Sequence, residues 1–112
     1  MLVVEDQSIV ALHVADVLRD AGCMVVGPVA NLKPALDLAC AERLDFAVLD
    51  VNLDGDHIFP VAQELETRGI PFLLATGYSD SSLPEHWRGR PCLRKPFTDA
   101  QLAELVGRLT SR

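Results

Sequence analysis

The 112-residue chain is short of aromatics and of positive charge, and its three cysteines form no obvious pairing pattern. Four Phe, one Trp and one Tyr leave most of any core to aliphatic side chains. Ten Lys and Arg against sixteen Asp and Glu give a net charge of −6, which argues against a basic face that would hold nucleic acid by its phosphates. Cys23, Cys40 and Cys92 are odd in number and show neither C-x-x-C spacing nor a neighbouring His in the pattern of a zinc site. They are expected as reduced core thiols. No apolar run reaches the roughly 18 residues of a spanning helix, and Glu5-Asp6 interrupts the stretch where a signal peptide keeps its apolar region. The expected compartment is therefore cytoplasmic, with neither nucleic acid nor membrane as a partner. Repeats, linkers and low-complexity segments are also missing. The length suits one domain over residues 1–112, with a radius of about 13 Å and no room for an output module. Because Leu2-Val3-Val4 already reads as a strand, a trimmed N-terminus is a further expectation.

What is present is alternation. Short apolar runs take turns with longer amphipathic stretches, the pattern of a parallel sheet covered by helices on both faces. Leu2 to Val4 is the first strand, followed by a helix from about Ser8 to Ala21 whose Val10, Val14, Val17, Leu18 and Ala21 fall on one stripe, with Gly22 as the stop. Met24 to Val29 is the second strand, and Asn31 is placed to cap a helix through Glu42, with Pro34 tolerated in its first turn. Phe46 to Leu49 is apolar throughout, as in a central strand buried on both faces, and Asp50 stands at its end. A third helix near Phe59 to Arg68 closes at Gly69, Phe72 to Ala75 is the fourth strand, and Cys92 to Arg94 is the fifth. Thr98 to Gln101 is a capping box opening a last helix to about Leu109, with Leu102, Leu105, Val106 and Leu109 inward. Between Ser82 and Gly89 the fourth helix has space for two turns at most.

Several polar residues fall at the carboxyl ends of these strands: Glu5 and Asp6, Asp50, Thr76 and Lys95. In an open parallel sheet those ends form one edge, where a ligand crevice opens between diverging helices. Three crowded carboxylates call for a proton or a cation, and an all-oxygen set suits Mg²⁺. Asp50 is then the natural nucleophile toward phosphorus, with Lys95 neutralising phosphoryl charge and Thr76 donating a hydrogen bond. Taken singly, Asp6 reads as a helix N-cap, Thr76-Gly77 as a turn and Lys95-Pro96 as a solvated lysine before a rigid bend. His13, His57 and His86 have no ligand spacing, and Trp87 reads as a local packing residue.

The set Glu5-Asp6, Asp50, Thr76 and Lys95-Pro96 resembles that of the receiver domains of two-component response regulators, with Leu2 to Asp6, Ala47 to Asp50 and Leu93 to Phe97 matching in order and spacing. The resemblance implies a flavodoxin-like, doubly wound five-stranded parallel sheet of order 2-1-3-4-5. It also implies Asp50 as phosphoacceptor, Asp6 as a direct Mg²⁺ ligand, Glu5 as one acting through water, the Asn52 backbone carbonyl as another, and a cis peptide before Pro96. Leu74-Ala75-Thr76-Gly77-Tyr78 looks like the Phe-Ala-Thr-Gly-Tyr signature of stand-alone receivers linked with stress signalling. The implied partners are a histidine kinase or histidine phosphotransfer protein and an unknown downstream protein, with a homodimer as a further expectation. The implied activity is a switch, shuttle or sink that catalyses its own phosphorylation and dephosphorylation and is no conventional enzyme. Donor docking is expected at the crevice rim and on Ala11, Val14 and Ala15 of the first helix.

One departure stands out: Cys92 occupies the position three residues before the lysine where typical receivers carry Tyr or Phe, which moves the expected switch role to Thr76 and Tyr78. A phosphorylation-independent binding module of the same fold is the alternative. Two other readings fit worse. Asp50 to Gly55 matches the first half of an EF-hand loop, but Val61 stands where the bidentate Glu is needed. An Asp-x-Asp phosphatase motif fails at Asn52.

Overall fold

Successive residues of the inner strands point to opposite faces, and here both faces are apolar. In the computed structural model, which describes residues 1–53, 56–77 and 83–110, Leu2 and Val4 join one core and Val3 the other. Ala47 and Leu49 likewise part from Phe46 and Val48, and Phe72 and Leu74 from Leu73. In chain order the elements are β1 (Leu2–Val4), α1 (Ser8–Asp20), β2 (Val26–Val29), α2 (Leu32–Ala41), β3 (Ala47–Asp50), β4 (Asn52–Leu53), β5 (Asp56–His57), α3 (Phe59–Thr67), β6 (Phe72–Thr76), a 3₁₀ turn at Glu85–Trp87, β7 (Cys92–Arg94) and α4 (Asp99–Thr110). Five strands form one parallel sheet in the order β2-β1-β3-β6-β7, which is 2-1-3-4-5 when only its own strands are counted. β4 and β5 make a separate antiparallel pair, with Asn52 opposite His57. The radius of gyration is 12.6 Å.

The helices divide between the two cores. α2, α3 and the 3₁₀ turn supply Ala35, Ala39, Val61, Ala62, Leu65 and Trp87 to one, while α1 and α4 supply Val14, Leu18, Leu102 and Val106 to the other. The helix after β1 thus lies on one face and the helix after β3 on the opposite face, although the two strands are neighbours. A crevice opens at their carboxyl ends for that reason. Among the described residues no helix is long and apolar enough to cross a membrane.

Local signals explain most boundaries. Thr98 and Gln101 form the reciprocal capping box, with the Gln101 amide donating to Thr98 Oγ1 at 3.1 Å and the Thr98 amide to Gln101 Oε1 at 2.8 Å. Gly22 and Gly69 stop their helices at φ of 88° and 71°. Asn31 precedes α2 in extended backbone without a side-chain cap bond, contrary to expectation. Among the described residues, the stretch expected as a fourth helix forms one 3₁₀ turn. β2 begins at Val26 rather than Met24, because pairing with β1 starts there and the Met24 side chain is exposed. At Gly27, with φ of 98°, an added Cβ would lie 2.9 Å from the Val29 amide nitrogen and 3.0 Å from the Val3 carbonyl oxygen, so only glycine fits beside β1. Gly27-Pro28 and Lys95-Pro96 are cis, the second as the family resemblance implied.

Two expectations about side chains fail. The cysteines are unbridged, but none is a core thiol: Cys40 is exposed, and Cys23 and Cys92 are half-buried. On α1, Ala21 is exposed and the buried stripe is Ala11, Val14, Ala15 and Leu18, spaced i, i+3, i+4, i+7. The three positions expected to meet a donor therefore face the sheet. The exposed apolar side chains of this helix are Ile9 and Leu12.

Candidate functional site

At the crevice, sheet pairing fixes where each polar residue stands. β1 lies between β2 and β3, and the Glu5 amide, one residue past β1, donates to the Val29 carbonyl at 3.0 Å. Asp50 closes β3 opposite Ala75 of β6, and the Val51 amide continues the ladder to the Ala75 carbonyl at 3.0 Å. Thr76 follows Ala75 and pairs with Arg94, while the Lys95 amide donates to the Thr76 carbonyl at 2.8 Å. Four adjacent strand ends thus deliver Glu5, Asp50, Thr76 and Lys95 to one edge. Glu5 and Asp50 are 5% exposed and Thr76 2%, values at which a charged or polar side chain needs partners.

For the two carboxylates the partners are charged neighbours. Ligand oxygens of Glu5, Asp6 and Asp50 all lie within 4.8 Å of each other. Lys95 Nζ reaches in from β7 to Glu5 Oε1 at 2.6 Å and Asp50 Oδ1 at 3.3 Å. The second Glu5 oxygen, Oε2, accepts from the Gln7 amide at 3.1 Å, and it is Gln7, not Asp6, that stands at the N-cap position of α1, without a side-chain cap bond. Among the described residues no buried side-chain nitrogen or oxygen lacks a partner. One lysine does not balance three carboxylates. Burial, then the hydrogen bond and charge of Glu5, push the Asp50 carboxyl up to about 8, against the opposing pull of Lys95. Burial acts to lower the Lys95 ammonium, but hydrogen bonding to Glu5 and the Asp50 and Glu5 charges hold it above its ordinary value. Three close oxygen donors with surplus negative charge, one of them retaining a proton near neutral pH, fit a hard divalent cation.

Residues 1–107 match the family of response regulator receiver domains. This chain belongs to that family. Its receiver fold is shared with SdrG from Sphingomonas melonis Fr1, at 40% identity and a TM-score of 0.84 over 96% of this chain and 92% of SdrG. The BeF₃-activated conformation of SdrG, from Pseudomonas melonis Fr1, gives the same identity and a TM-score of 0.81, over 97% of this chain and 93% of that one. The transcriptional regulatory protein PdtaR of Mycobacterium tuberculosis is 26% identical over 116 residues, and the receiver spans 57% of its length. The receiver domain of the sensor histidine kinase PA1611 from Pseudomonas aeruginosa PAO1, 23% identical with a TM-score of 0.79 over 99% of this chain and 96% of that one, has a magnesium ion coordinated in its active-site cleft. Receivers of this family act in two-component, phosphorylation-dependent signalling with histidine kinases or phosphotransfer proteins.

Of the residues singled out in the sequence, Glu5, Asp6, Asp50 and Lys95 meet in this receiver, and Thr76 ends the strand beside them. Asn52 opens β4 two residues beyond Asp50. Cys92 starts β7, half-buried, and Pro96 follows the cis bond. Tyr78 lies outside the described residues. The EF-hand reading loses its geometry as well, since the segment before Asp50 is a strand and Val61 is buried inside α3. Gln7 was missed. Its amide orients Glu5, and a backbone donor leaves no trace in residue type.

Proposed function

We propose that this receiver accepts a phosphoryl group on Asp50 in a Mg²⁺-dependent reaction and thereby switches between two signalling states. The observation that carries the reading is the buried contact of Glu5, Asp6 and Asp50 with Lys95 at the end of β1 and β3. Asp6 and Asp50 would hold the cation directly, Glu5 through water, and Asn52 through its backbone carbonyl. When bound, Mg²⁺ neutralises the carboxylates and draws charge from the phosphoryl oxygens. The PA1611 receiver, which has the same fold, has a magnesium ion coordinated in its active-site cleft, and this supports the reading.

The chain's own residues do the rest. Asp50 releases its proton to solvent, its ionised oxygen attacks phosphorus, the bond from phosphorus to the donor's nitrogen or oxygen breaks, and the electron pair leaves with the donor. Lys95, already between Glu5 and Asp50, turns its ammonium to a phosphoryl oxygen, and the Thr76 hydroxyl donates to another. The strand ends hold these groups in place before the donor arrives, so little reorganisation is required. Residues 1–112 act as one receiver unit, a reading supported by the nearly complete overlap with SdrG.

The donor docks at the crevice rim on the exposed Ile9 and Leu12, next to a groove of about 460 Å³ lined by Ile9, His13, Lys95, Pro96 and Phe97 among others. A small-molecule phosphodonor tests the metal requirement without any kinase. Intact protein should gain one phosphoryl mass with Mg²⁺ and none with excess chelator, and Asp6→Ala should require more Mg²⁺ for the same gain. Equal phosphorylation in chelator, or an Mg²⁺ dependence unmoved by Asp6→Ala, would remove the cation from the account. A chain that gains nothing with donor and metal is a binding module of receiver fold.

A further inference from the structure

β7 contributes Cys92, Leu93 and Arg94, and no ring. Among the described residues one group of rings gathers on the other side of the sheet from α1 and α4. His57 of β5 and Phe59, the first residue of α3, stack with centroids 5.7 Å apart and planes 7° from parallel, and Phe59 stacks in turn on Trp87 at 5.7 Å and 8°. These are offset stacks of favourable geometry. Trp87 is 6% exposed and is held on its other sides by Phe72 at 6.1 Å, by His86 edge-on at 4.5 Å, and by the Arg90 guanidinium at 5.7 Å.

The ladder starts at the Asp50 loop. The Ile58 amide donates to the Val51 carbonyl at 3.0 Å, and His57 pairs with Asn52. A shift of the backbone just after Asp50 therefore moves His57 and the start of α3 together. At the other end the 85–87 turn rests on α3: His86 Nε2 meets Glu66 Oε1 at 3.1 Å, Arg90 pairs with the other oxygen of Glu66, and Trp87 lies on Phe59. Phe59 and Glu66 are seven residues apart and so share one face of α3. One helix face thus joins the loop after the acid pocket to the only turn of helix that the fourth crossover forms among the described residues.

We propose that the stacked rings of His57, Phe59 and Trp87 carry the state of Asp50 to the 85–87 turn, so that the signal travels along the loop after β3 and the face of α3. The proposal rests on the reading of Asp50 as phosphoacceptor. Rings transmit displacement well here because near-parallel planes in contact cannot slide far without losing their overlap, and Trp87 is boxed in on its remaining sides.

Hydrogen exchange on the full chain, before any phosphodonor is added, reads the ladder by itself. His57 is exposed, so His57→Ala leaves both cores intact, and amides 85–90 are expected to lose protection while α1 and β3 keep theirs. Phe59→Leu, which retains apolar bulk without a ring, is expected to give the same pattern. Unchanged protection at 85–90 in both variants would overturn the proposal. A second arm adds acetyl phosphate and Mg²⁺, follows the emission of Trp87, the chain's single tryptophan, and counts phosphoryl groups by intact mass. Wild type should change its emission on phosphorylation, and His57→Ala should lose that change at equal phosphoryl content. An undiminished change at equal content also overturns the ladder. If wild type gains no phosphoryl mass, the Asp50 reading fails, and the exchange arm alone decides whether the ladder couples loop to turn.

Discussion

At the ends of β1 and β3 burial works against the side chains it encloses, whereas around Trp87 it works for them. Glu5 and Asp50 are as inaccessible as Trp87, yet the first two are like charges sharing one lysine and the last is an apolar ring among rings. The pocket retains an unfavourable charge balance that a cation and a phosphoryl group would relieve. The ring cluster needs nothing further. Binding chemistry and structural anchoring are in this way assigned to different groups of residues, the former at the strand ends and the latter along the face of α3.

Substitutions at the two places should part accordingly. Trp87→Ala removes a large buried ring and should cost about 3–5 kcal/mol in urea unfolding, the largest of the effects predicted for the two regions. A loss below about 1 kcal/mol would mean that the turn is not anchored as described. The pocket should answer to pH instead. Asp50 titrates near 8 in the folded chain against 3.8 for the unperturbed group, so between those values the folded state keeps a proton that the unfolded state has released. Without metal, stability from this group is fully present below about pH 4 and is lost as pH rises toward 8. Asp50→Asn should flatten that slope in unfolding curves run in chelator, and a slope kept by the Asn variant would assign the proton to another group. The smallest effect on stability is expected outside both regions. Ile9→Glu and Leu12→Glu, at exposed sites of α1, should leave stability within about 0.5 kcal/mol. They should slow transfer from a cognate kinase yet spare phosphorylation by a small-molecule donor, and equal loss in both assays would mean that these positions do not form the docking surface.

The same contrast governs what could be read from residues alone. Buried strands such as Phe46 to Leu49 declare themselves by continuous apolar character, and the polar residues at their ends become conspicuous because nothing else in the run is polar. The pocket was legible for that reason: Glu5, Asp6, Asp50 and Lys95 do meet. The phase of α1 was harder to read, since Ala11 and Ala15 are small enough to pass for surface residues and Val10 and Val17 compete with them for the inner stripe. The β4–β5 pair is two residues on each side, too short for a period-two pattern to show. The ring ladder joins positions 57, 59 and 87, and sequence spacing carries no information about a stack closed by tertiary packing.

The central claim is that Asp50 is the group that receives phosphorus. Intact-mass analysis of wild type and Asp50→Ala, each treated with acetyl phosphate and Mg²⁺ under identical conditions, tests it most directly. Wild type should gain one phosphoryl group that chelation prevents, and Asp50→Ala should gain none while keeping the folded far-UV spectrum of the parent. An Asp50→Ala protein that takes up phosphate to the same extent, or a wild type that takes up none from a donor shown to be competent, would contradict it.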